Sequence, residues 1–253
     1  MNRDEHIKFI KADLSDVLMD VVSTVNLLGT GLEFYAVNGY ILQSMLLQLT
    51  GAQEQKMKCI CWEMATDNLE YRYKRYYKKW DLSECSTLND KTKVYEDLSK
   101  GIHKYDASYK LFADTAARTL MLQHVKNVID DIFADTNIVK IHAVKYAEFD
   151  AIWSNLDSDN IPDNGIFKCV DANHPFANPK GIMWGIYSLL YKARNRYAHN
   201  ATSFQMNLPR FYEINDVDYQ KYNNIFLFYA ELLLIDEMFR SLYDKYESVV
   251  EFA

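Results

Sequence analysis

Residues Tyr40 to Leu49 read "YILQSMLLQL", a stretch nearly apolar all round a helical wheel. Such a run predicts a central helix buried on every side. It begins upstream at Leu32, and Gly51 is expected to break or kink it. Beyond that glycine, "AQEQKMKCICWEMATDNLEYRYKRYYKKW" (residues 52–80) carries on at helical period. On the N-terminal side, Ile7, Ile10, Leu14, Val17, Leu18, Val21, Val25 and Leu28 recur at spacings of three and four, one stripe of an amphipathic helix from Glu5 to Leu28. The "GTG" at Gly29 to Gly31 is expected to stop it.

Further along, Asp81 to Lys100 is polar, and "SECSTLNDKTK" reads as a connection before a short helix. A long stripe follows from Ser108 to Phe133. "NIVKIHAVKYAEFDAIW" (Asn137 to Trp153) is open between a short β-branched strand and a return to helix. Asp157 to Lys180 holds three of the four prolines and reads as a long loop. Gly181 to Tyr197 then gives a helix with Met183, Trp184, Ile186, Tyr187, Leu190 and Tyr191 inward, and a last helix spans about Asp218 to Val250. With 8 glycines and 4 prolines in 253 residues, tight hairpins are few. The expected fold is therefore all-α, a bundle of long helices.

The formal net charge of −7 excludes a protein that binds nucleic acid over a wide, sequence-blind face, because such a face must be basic to replace counterions. A local basic site is still compatible with it. Cys59, Cys61, Cys85 and Cys169 show no paired metal-ligand spacing, and "KCICW" falls inside an apolar helical run where reduced cysteine acts as a small hydrophobe. No metal site and no cofactor are expected. The N-terminus lacks an apolar signal core, and no apolar run reaches the roughly 20 residues that span a bilayer. "IFLFYAELLLI" is too short and contains Glu231. The expectation is a cytoplasmic, reduced protein with no membrane partner.

Chemistry concentrates in "YKARNRYAHN", Tyr191 to Asn200, where the motif helix runs out. On a helix Asn195 and His199 share a face, whereas Arg194 and His199 differ by roughly 140° around the axis. One copy thus makes an awkward site; two copies at a two-fold axis make a better one. Histidine titrates near neutrality and can take a proton from a 2′-hydroxyl or give one to a leaving 5′-oxygen. Arginine offers a planar fork for phosphate and for its transition-state charge. Asparagine can orient the imidazole or hold a phosphate oxygen. The plainer alternative is helix-end chemistry, since Arg and His in a last turn complement the dipole. "RTLMLQH", Arg118 to His124, has similar spacing inside a regular apolar stripe and reads as structural.

The wording "LLYKARNRYAHN" resembles the signature of the HEPN superfamily, R-x4-6-H with a polar residue, often asparagine, directly after the arginine. Here those positions are Arg194, Asn195 and His199. The setting is similar too: an apolar helix before, a loop after, then a long closing helix, covering Gly181 to about Val250. The resemblance implies an all-α, usually homodimeric domain that cleaves RNA without metal, in toxin–antitoxin or phage-defence settings with an antitoxin or defence-system partner protein. Residues 1–253 then form one elaborated domain, with motif and closing helices within 181–250 and 81–180 as the elaboration. The chain is longer than a minimal domain of this kind and shows no nucleotidyltransferase partner.

"YRYKRYYKKW", residues 71–80, interleaves cations with aromatics. It reads first as an exposed helix end with inward tyrosines and solvated cations. It is also the best local basic patch to guide RNA, which makes Arg72, Lys74 and Arg75, with Arg196 beside the motif, the expected RNA contacts. The alternative function is a non-catalytic module of the same fold that binds RNA, a nucleotide or a protein.

Overall fold

Leu32 to Asp67 forms one helix of 36 residues, uninterrupted at Gly51. The computed structural model describes residues 3–27, 29–77, 85–110, 112, 114–199 and 215–251, apart from the side chains of residues 32, 77 and 199. In chain order the helices are α1 (Arg3–Lys11), α2 (Leu14–Val25), α3 (Leu32–Asp67), α4 (Leu69–Arg72), α5 (Leu88–Tyr105), α6 (Thr115–Phe133), α7 (Asn137–Ile141), α8 (Ala143–Trp153), α9 (Ile182–His199), α10 (Val217–Tyr222) and α11 (Ile225–Glu251). A π-helical turn, Tyr73–Tyr77, follows α4. Among the described residues there is no strand, and the fold is all-α.

The expected all-round burial belongs to α11, not to Tyr40–Leu49. Every side chain from Phe226 to Asp236 is buried, and α11 packs against α3, α5, α6, α8 and α9. On α3, by contrast, Leu42, Met45, Leu46 and Leu49 are buried while Tyr40 is 71% exposed. Gln43 and Gln48 fall on the side away from the core, so α3 is amphipathic there despite its apolar count.

The Glu5–Leu28 stripe is two helices. Its apolar positions Ile10, Leu14, Leu18, Val22 and Val25 do form one buried row, but the backbone breaks at Ala12 and Asp13. Asp13 caps α2 by accepting from Ser15 N at 2.9 Å. Buried Lys56 of α3 donates both to Ala12 O and, at 2.7 Å, to Asp236 of α11, which fixes the break against the core. α2 ends at Val25, before the glycines, and Asn26 takes over by accepting from Asn137 N at 2.7 Å; Leu28 lies outside the described residues.

α5 is longer than expected, 18 residues, because Thr87 caps it by accepting from Asp90 N and Val94, Tyr95, Leu98 and Ile102 give it a buried face. Asn137–Trp153 is two helices, which closes the strand alternative. The proline-rich stretch is a loop with two short 3₁₀ turns. It carries Phe176, which stacks on Tyr222 at 4.2 Å and lies against Gly185, where a Cβ would stand 2.6 Å from its ring. α9 thereby enters the core at a fixed angle. The closing helix is split, with buried Asn224 capping α11 and donating to Lys145 O at 2.7 Å. No helix among the described residues is long and apolar enough to cross a membrane.

Candidate functional site at the end of α9

α9 brings Arg194, Asn195 and His199 to the rim of the core. Met183, Ile186, Tyr187, Leu190 and Ala193 are buried, and Trp184 and Tyr191 are half-buried beside them. The helix stays regular through the backbone of His199, so no unwinding at Ala198 draws Arg194 and His199 together. The imidazole of His199, like residues 200–214, lies outside the described residues.

Arg194 is half-buried and oriented from two sides. Its Nη1 donates to Asn195 Oδ1 at 3.1 Å, and its Nη2 donates to Glu54 Oε1 of α3 at 3.0 Å. Two of its five N–H donors are thus engaged, and the others can meet a phosphate. Glu54 also interacts with Lys91 of α5, a lysine only 2% exposed whose Nζ donates to Cys85 O at 3.0 Å. Burial lowers the Lys91 ammonium to about 8; Glu54 opposes that shift and Arg194 adds to it. Two cations therefore share one carboxylate, and only a water-sized hollow of about 10 Å³ remains among them.

Behind this cluster, Tyr187 donates to Ser86 O at 3.2 Å, and its hydroxyl is held far above the usual range by burial first and by nearby Glu231 second. Arg196 points elsewhere: its Nη1 donates to Tyr219 of α10 at 2.9 Å. The other candidate cations form a separate group. Arg75 pairs with Asp97 at 2.8 Å and Lys74 with Glu70 at 2.6 Å, while Arg72 lines a hollow with Trp62 and Tyr76. From Glu54 to Asp67 α3 runs about 20 Å, which separates this group from Arg194. The similarly spaced Arg118 donates to Ile161 O at 2.7 Å and pins α6 to the loop.

Glu54 and Lys91 were not legible as site residues. Glu54 sits in an ordinary helical run 140 positions from its partner, and Lys91 falls in the stretch that reads as a polar connection. Among the described residues no group of three or more His, Cys, Asp and Glu side chains is placed to hold a metal ion. Comparison with known proteins gives no relative: no family model, no curated protein and no solved structure matches the chain.

Proposed function

We propose that the chain is a metal-independent endoribonuclease of HEPN type, acting as a homodimer in a toxin or phage-defence setting. The observation that carries the proposal is the Arg194–Asn195 side-chain bond at the end of a buried helix, with His199 one turn beyond Asn195 on the same face. An arginine fork fixed by a neighbouring amide and a carboxylate is pre-organised for the charge that grows on a phosphate.

In the reaction, the 2′-hydroxyl of the substrate attacks the adjacent phosphorus and its proton passes to His199 of one copy. The bond to the 5′-oxygen breaks, and His199 of the second copy protonates that oxygen. Arg194 meets the non-bridging phosphate oxygens, and Asn195 steadies the guanidinium. The products are a 2′,3′-cyclic phosphate and a free 5′-hydroxyl. A second copy is part of the proposal because Arg194 and His199 lie roughly 140° apart on one regular helix. The small hollow at Arg194 also requires the RNA to lie across a surface or between two copies.

An RNA bearing a single 2′-deoxy nucleotide at the cut position should resist cleavage there while neighbouring positions are cut normally. Cleavage at the substituted position at the ordinary rate contradicts internal attack.

The Glu54–Arg194 ion pair favours a second function, a non-turnover module of the same fold that holds RNA, a nucleotide or a protein. There the carboxylate would neutralise an arginine that serves the packing of α9 on α3.

A further inference from the structure

Away from Arg194 there is a cleft of about 560 Å³ between the end of α3 with α4 and the π-helical turn on one side and α5 on the other, lined also by Tyr246 of α11. In a chain of net charge −7, Lys74, Arg75, Lys93, Lys100 and Lys104 line it, against the two carboxylates of Glu70 and Asp97. We propose that this cleft binds a single strand of nucleic acid, its phosphates on the lysines and its bases against the ring of Tyr105.

The spacing of the cations selects a strand. Lys93, Lys100 and Lys104 stand at i, i+7 and i+11 on α5, within about 40° of one another around the axis and along about 16 Å of it. A row of that length fits a repeating anion better than one phosphate. It starts two positions beyond Lys91, whose ammonium interacts with Glu54 and Arg194, and leads away from there.

Three of the four lysines have a local carboxylate partner that can give way. Lys74 pairs with Glu70 at 2.6 Å, Lys93 with Asp90 at 3.3 Å and Lys100 with Glu96 at 3.6 Å, all within a turn and with lysine side chains 61–72% exposed. Exposed pairs of this kind add little stability and are screened by salt, so phosphates can replace the carboxylates. Arg75, with only 13% of its side chain exposed, is the fixed part of the wall, tied to Asp97.

Tyr105 is 43% exposed, with the Lys104 ammonium 5.3 Å from its ring centre. Ring and cation side by side are what stacking and phosphate contact by one strand require. On the other side of the π-helical turn, half-exposed Trp62 meets Tyr76 edge-on and offers a second apolar surface beside Arg72. π-helical turns are rare and frequent at functional sites.

The test is fluorescence anisotropy with labelled dT15, whose missing 2′-hydroxyls keep any cleavage at Arg194 out of the measurement. Wild type should bind it in a salt-dependent way. Lys93→Ala/Lys100→Ala/Lys104→Ala should weaken binding at least tenfold and reduce the slope of log affinity against log salt by about 2, at about 0.7 per phosphate contact. Lys140→Ala/Lys180→Ala/Lys221→Ala, with the same charge change on other faces, should stay within twofold of wild type. If the cleft triple melts early, each single variant should lower the slope by about 0.7. No binding by wild type, equal loss in both triples, or binding of ATP without binding of dT15 overturns the proposal. Cleavage does not decide it: a protein that binds dT15 through these lysines and cuts nothing keeps the cleft and loses the ribonuclease.

Discussion

Glu231 is wholly buried in α11, and among the described residues neither of its carboxyl oxygens has a hydrogen-bond partner. Burial holds its carboxyl far above the ordinary 4.5, so the folded protein keeps a proton that the unfolded chain releases as pH rises through that value. Stability from this group is therefore present below about pH 4.5 and is lost as pH rises. Glu231→Met removes the buried carboxyl, keeps most of the volume, and should stabilise the protein at pH 7 by about 1–3 kcal/mol. In urea unfolding the gain should shrink toward pH 4.5; a gain independent of pH would mean that Glu231 is ionised or solvated in the fold. The same scale frames Arg194. Its neighbours Asn195 and Glu54 convert a helix-end arginine into a guanidinium of defined direction.

At the scale of elements, α3 shows where pattern reading succeeds and where it stops. The period was legible over the whole helix, but Gly51 was expected to interrupt it. Packing on α1, α2, α5, α9 and α11 outweighs the helix cost of one glycine. A Cβ at Gly51 would meet nothing within 4 Å, so Gly51→Ala should stabilise by about 0.5–1 kcal/mol, seen as a higher urea midpoint. A loss of stability would show a helix strained at that point. The all-α class, the motif helix and the long proline-rich loop were legible because hydrophobic period and Gly/Pro usage are local properties. The break at Ala12–Asp13 was not, because the stripe continues across it and the Lys56 that bonds Ala12 O there is held by Asp236, 180 residues away in sequence. α5 was underestimated for a related reason: its capping turn, Thr87 to Asp90, is polar and looks like a loop until its side-chain bonds are seen. At the site, "RNRYAH" marked Arg194 and Asn195, whereas Glu54 and Lys91 arrive by tertiary packing that no local spacing encodes.

At the scale of the whole molecule, α11 is the hub, and α3, α5 and α9 are arranged around it so that one end holds Arg194 and the other holds the lysine-lined cleft. A strand lying along α5 would pass from the cleft toward Arg194, and a second copy meeting at the end of α9 would complete the proposed catalytic pair. The account rests on turnover at that helix end. The deciding measurement is cleavage of mixed cellular RNA, in EDTA, by wild type, Arg194→Ala and His199→Ala, with mass and melting temperature of each protein recorded. Wild type should cleave in EDTA, and both variants, folded and in the same oligomeric state, should lose at least about 10²-fold of the rate, the lower end of what general acid–base groups contribute. Equal cleavage by all three, or none by wild type, would contradict a ribonuclease site at Arg194.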